Sequence, residues 1–216
     1  MCWATNSVNR VVAETSMQSS RLEAFSDGVI AIIITIMALE LHVPHDGDEH
    51  SLVGLLPILL SYVLSFLTVA IYWINHHHLI HLVRRVTTRL LWANVHFLFW
   101  LSLLPFVTGY LGAQPRLPLA GALYGTVATG CSLAFLWMRR GIATHLEAAD
   151  PRFEGAEPFH FRSRSLLSAL MLVASIPLAF VSTWISLALF CLPPLLYFMP
   201  DDKRIEALLA SRETAK

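Results

Sequence analysis

Charge is scarce in this 216-residue chain: 14% of residues are charged, and 15 basic residues cancel 15 acidic ones. A soluble domain averages about 25% charged and about 45–50% apolar residues, whereas this chain is 56% hydrophobic. The shortage of charge argues against a water-soluble globule with an ordinary core. The lack of net charge removes the electrostatic reason for a nucleic-acid partner, and the hydrophobicity excludes disorder. Cysteine is equally sparse. Cys131 and Cys191 fall in apolar runs and Cys2 lies near the start, so no disulfide is expected. The first 20 residues hold no apolar stretch of the kind a cleaved signal peptide needs. Nucleotide, haem and zinc motifs, low-complexity segments, internal repeats and a nucleophile–base pair are all missing. No catalytic activity, resident metal or cofactor is expected on that account. The class that remains is an integral membrane protein.

What the chain does have is long runs without charge. A helix needs about 20 mostly apolar residues to cross roughly 30 Å of hydrocarbon. Val29–Leu39, extended on both sides, Leu52–Asn75, Leu90–Pro115 and Leu117–Met138 each predict one crossing. The last run, Ser165–Pro200, is too long for one and fits two short helices with a tight turn near Val181-Ser182-Thr183. The fold expected is therefore all-α, with six transmembrane helices. The segments are 1–20 (N-terminal, cytoplasmic), 21–200 (the membrane domain) and 201–216 (a cytoplasmic tail). With both termini inside, the positive-inside rule leaves only Arg116 of the 15 basic residues outside. The first external loop, Pro44–Ser51, carries Asp46, Asp48 and Glu49 and no basic residue. Arg139–Arg164 is expected to be a loop with an interfacial helix. Pro57, Pro105, Pro177, Pro193 and Pro194 are expected to kink their spans, and Gly121, Gly125 and Gly130 suit close helix packing.

The head of the first span reads Arg21-Leu22-Glu23-Ala24-Phe25-Ser26-Asp27-Gly28. Ionisable groups that enter a span are functional candidates, costing about 2.5–3.5 kcal/mol on insertion scales when uncompensated. Glu23 and Asp27, at i and i+4, share a face. Acids near a helix N-terminus also interact well with its dipole, so the residues alone leave a capping role open.

The pattern R-x-x-x-F-S-D at Arg21, Phe25, Ser26 and Asp27, followed by G-V-I-A-I, resembles the signature of the transmembrane protein 175 family of potassium channels. The resemblance continues through Tyr72-Trp73-Ile74-Asn75-His76-His77 and from Asn94 to Leu104-Pro105-Phe106-Val107-Thr108, about the first 110 residues. It implies a cation channel without the T-V-G-Y-G filter loop, and no such loop occurs here. One copy of the motif resembles the bacterial type, a homo-tetramer of the plasma membrane that passes potassium and, less selectively, other monovalent cations. In that family the first helix lines the pore, with an isoleucine constriction five residues past the motif aspartate. Here that position is Ile32, followed by Thr35 and Leu39.

Ile32, Thr35, Ile36 and Leu39 stand at i, i+3, i+4 and i+7 and share one helix face. Four copies would stack aliphatic rings around one threonine ring, able to gate by dewetting and to replace part of an ion's water. The same stripe would also serve plain helix packing, with Thr35 bonded back to its own helix. His76, His77, His78 and His81 close the second span. His77 and His81 have metal-ligand spacing, but no carboxylate or cysteine lies near them in sequence. The resemblance implies instead that Trp73, Asn75, His76 and His77 brace the R-x-x-x-F-S-D head. A proton-permeable channel or proton-coupled transporter using Asp27, Glu40 and the histidines is the first rival reading, and a membrane enzyme using the histidine cluster with a metal is the second.

Overall fold

The computed structural model describes residues 2–41, 53–81, 83, 86–149 and 159–198, and within them the side chains of 19–41, 53–81, 83, 86–144 and 165–195. The loop Pro44–Ser51, Arg84 and Arg85, and the tail 201–216 lie outside the described residues. In lipid the backbone must satisfy its own polar groups, and a helix does so within one segment. The chain follows that demand with α1 Cys2–Leu39, α2 Leu56–His81, α3 Thr88–Ser102, α4 Leu104–Ala113, α5 Pro118–Ala149, α6 Phe159–Val181 and α7 Thr183–Phe198. Together α3 and α4 form one span, giving a six-helix, all-α membrane protein. Four stretches are long and apolar enough to cross a bilayer: Ser19–Leu39, Leu56–His81, Thr88–Ala113 and Pro118–Thr144. The shorter apolar helices Ser165–Val181 and Thr183–Leu195 form the expected hairpin, turning at Ser182. Ser186 Oγ donates to Ser175 O across that turn at 3.1 Å.

The prolines behave by position. Pro57 is the second residue of α2, where a missing N–H costs nothing, so it opens the helix rather than kinking it. Pro105 stands next to the break at Leu103 that divides the third span into α3 and α4. Pro177, Pro193 and Pro194 lie inside α6 and α7, which continue as helices past them. The expected loop after Arg139 is also different. The α5 helix runs on to Ala149, because charged side chains leaving a bilayer do not interrupt the backbone ladder. Arg139 itself is buried and donates to Ser165 Oγ at 3.0 Å.

The fourth span is the centre of the bundle. In its most apolar stretch 78% of residues are buried, against 28% in α1 and 17% in α2. Its small residues allow this. Gly121 faces Ala179 and Gly125 faces Ser175 on α6, while Gly130 lies beneath the Trp100 ring. A Cβ at Gly130 would fall 2.3 Å from that indole, so only glycine fits. Mid-span, Thr108 Oγ1 donates to Ser65 Oγ at 2.7 Å and Ser65 Oγ meets Tyr124 OH at 3.1 Å, tying α4, α2 and α5 together. The first helix packs on α2, α3 and α4 and stays at the edge.

Candidate ion-conduction helix and its braced head

Two stripes of α1 have opposite surroundings. Leu22, Ser26, Ile30, Ile33 and Met37, spaced three or four apart, are buried against the bundle. Arg21, Phe25, Gly28, Ile32, Thr35, Ile36 and Leu39 run along the exposed side. Ile32 is 60% exposed and Leu39 74%, whereas their neighbours Ile33 and Met37 are 3% and 2% exposed. Among the described residues, the stripe containing Ile32, Thr35, Ile36 and Leu39 is therefore not used for packing. Thr35 Oγ1 donates to Ala31 O at 2.8 Å, which satisfies its proton on its own helix.

The head of α1 is held from behind by three separate contacts. Ser26 Oγ donates to Leu22 O at 2.9 Å and accepts from Asn94 Nδ2 at 3.0 Å. Asn94, fully buried on α3, accepts through Oδ1 from His76 Nε2 at 2.8 Å. That geometry puts the His76 proton on Nε2, so its buried Nδ1 is a bare acceptor with no partner among the described residues. The His76 ring stacks on Phe97, 5.9 Å between centroids. One turn earlier, Trp73 Nε1 donates to Asp27 Oδ1 at 2.9 Å. The third contact joins a carboxylate to two imidazoles: Glu23 Oε1 lies 2.9 Å from His77 Nδ1 and 3.3 Å from His81 Nε2. His77 and His81 face each other Nε2 to Nε2 at 3.2 Å.

The structure thus brings Ser26 and Asp27 of the motif to Trp73 and His76, with Asn94 as the bridge. Asn75 does not reach the head; its amide donates to Ile71 O at 2.7 Å. It lines instead a cavity of about 50 Å³ with Thr68, Ser132 and Tyr124. Arg21 and Phe25 are exposed on the Ile32 side, and Arg21 has no acidic partner among the described residues. Asn94 as the bridge and Glu23 as the histidines' partner are what reading the sequence missed. The signal for Asn94 was an uncompensated amide inside a span. For Glu23 there was none, because 54 residues separate it from His77. Glu40, the other acid of the proposed relay, packs against Gly109 on α4. Thirteen helical residues above Asp27, it is about 20 Å away, so these two acids are not brought together.

Residues 21–105 match the family described as the endosomal/lysosomal potassium channel TMEM175. The chain is 41% identical over 198 residues to a potassium channel of Chryseobacterium sp. (strain P1-3), covering 89% of this chain and 98% of that one. It is 36% identical over 190 residues to a potassium channel of Streptomyces collinus, covering 83% and 91% respectively. A 135-residue stretch is 34% identical to the human endosomal/lysosomal proton channel TMEM175, covering 56% of this chain and 26% of the human one. The crystal structure of a lysosomal potassium-selective channel TMEM175 homolog from Chamaesiphon minutus superposes with a TM-score of 0.70 at 25% identity, over 84% of this chain and 96% of that one.

Proposed function

Because the chain belongs to the TMEM175 family, whose members are cation channels and not enzymes, we propose that it is a potassium-permeable channel of the bacterial plasma membrane. Four copies surround a pore lined by α1, and Ile32 forms the constriction. One observation carries this reading: the exposed stripe of α1 lies at the edge of the protomer while the head of the same helix is fixed by α2 and α3. A pore on a symmetry axis lies between protomers, so its lining must come from a peripheral helix with an unpacked face. Lipid would accept the aliphatic residues of that stripe as well, and the liposome experiment below decides between the two.

Potassium flows down its electrochemical gradient in this reading, with no covalent chemistry. A ring of isoleucine side chains excludes water when narrow, and the threonine ring supplies partial replacement for ion hydration. The braces hold the Asp27 carboxylate toward Trp73 and away from the Ile32 side. Sodium permeates as well, as the weak selectivity implied by the resemblance to the bacterial type leads one to expect. The experiment is potassium flux from liposomes: Ile32→Asn, which wets the constriction, is expected to raise the leak and lower the potassium-to-sodium preference. Unchanged conductance and selectivity would remove Ile32 from the constriction.

A second reading has its own support, in the Glu23, His77 and His81 contact at the mouth and in the proton-channel relatives. It is proton permeation along the same α1 path. Acidification of liposomes under a pH gradient with potassium absent tests it, and a signal no larger than in empty liposomes rejects it.

A further inference from the structure

We propose that Glu23, His77 and His81 form a binding site for a divalent transition-metal ion of the zinc class, joining α1 to α2 at the head of the first helix. Among the described residues, these three bring one ligand atom each within 4.8 Å of one another. His77 and His81 stand four apart on one face of α2, the H-x-x-x-H spacing that places two imidazoles on a single ion. Bonds of about 2.0–2.1 Å in a tetrahedral shell put neighbouring ligand atoms about 3.3 Å apart. The His77 Nε2 to His81 Nε2 distance is 3.2 Å and His81 Nε2 to Glu23 Oε1 is 3.3 Å, while Glu23 Oε1 meets His77 through Nδ1 at 2.9 Å, so an ion held on His77 Nε2 draws the Glu23 carboxylate round to that nitrogen.

The arrangement uses lone pairs more fully than a proton can. His81 Nε2 faces both His77 Nε2 and Glu23 Oε1, and a single proton there serves only one of them well. A cation held by His77 Nε2, His81 Nε2 and a Glu23 carboxylate oxygen serves all three residues at once. Two imidazoles and one carboxylate suit zinc and its neighbours better than calcium or magnesium, which prefer oxygen. The site is reachable, since the His81 side chain is 58% exposed and that of His77 is 40% exposed. An open fourth position is left for water. Trp73 supports the arrangement from α2: its ring lies 5.9 Å from that of His77, and its N–H is fixed on Asp27. Occupancy ties Glu23, on the same turn as Phe25 and Ser26, to the end of α2 and stiffens the entrance to the α1 stripe.

The test is equilibrium binding of zinc alone to the full chain, purified in detergent, in parallel with His77→Ala, His81→Ala, Glu23→Gln and His78→Ala. His78 is exposed and outside the cluster, so its variant is expected to bind as the parent does. His77→Ala and His81→Ala are expected to lose one zinc equivalent per chain, and Glu23→Gln to bind at least tenfold more weakly. Glu23→Gln keeps the side chain's size and carries the test should an alanine variant fail to elute with the parent. Zinc absorption spectra of the parent are expected to show two imidazoles in the shell. The same stoichiometry and affinity in all five proteins would overturn the site. Because binding is read without ion flux, failure here leaves the channel reading standing, and a protein that binds zinc but passes no potassium separates the two the other way.

Discussion

Asn94 shows what a single residue contributes that its neighbours in sequence do not reveal. Its amide group serves Ser26 on α1 and His76 on α2 at once, all three fully buried. Replacing it with leucine leaves the buried His76 N–H without its partner, at about 1–3 kcal/mol, and leaves the Ser26 hydroxyl only its bond to Leu22 O. Asn94→Leu is expected to lower the thermal unfolding midpoint in detergent well below that of Asn75→Leu, whose amide bonds only its own helix; equal shifts would deny Asn94 its bridging role. The motif residues Ser26 and Asp27 were legible in the sequence because polar groups at the head of an apolar helix demand partners. Which partners they take was not, since the answer depends on α2 and α3 arriving at the same place. Three consecutive histidines made this acute: only the helical phase decides that His76 turns inward while His77 turns to Glu23.

At the scale of the helix, hydropathy and charge were enough to find the spans, and the turn at Ser182 follows from an apolar run too long for one crossing. Helix ends were less legible. Apolarity marks where a helix enters lipid, not where its backbone ladder stops, so α1 and α5 extend past their charged flanks to Cys2 and Ala149. Proline needed its position within the turn, as Pro57 and Pro105 show. The glycines of α5 were readable as small residues but not as to their partners. Gly130→Ala is expected to drive a Cβ into the Trp100 ring and cost about 1–3 kcal/mol of stability, as overpacking does. Adding Trp100→Ala should remove most of that penalty in a double-mutant cycle. An additive cycle would mean that the α3–α5 approach is not limited at this contact.

For the whole molecule, the decisive contrast is between α5, buried at the centre, and α1, which keeps one stripe unpacked at the edge. A protomer arranged this way leaves that stripe to lipid or to other copies, and the proposal gives it to three further copies. Native mass spectrometry in detergent is expected to report four chains; a stable monomer that still conducts would need another path. The central claim, that ions move along the α1 stripe, is tested most directly by single cysteines in a background with Cys2 and Cys191 replaced. Ile32→Cys, Thr35→Cys and Leu39→Cys, reconstituted in liposomes and treated with a membrane-impermeant, water-soluble thiol reagent, are expected to lose most of their potassium flux. Ile33→Cys and Met37→Cys, on the packed stripe, are expected to keep theirs. Flux that survives the reagent at all three exposed positions would place that stripe in lipid and contradict the account.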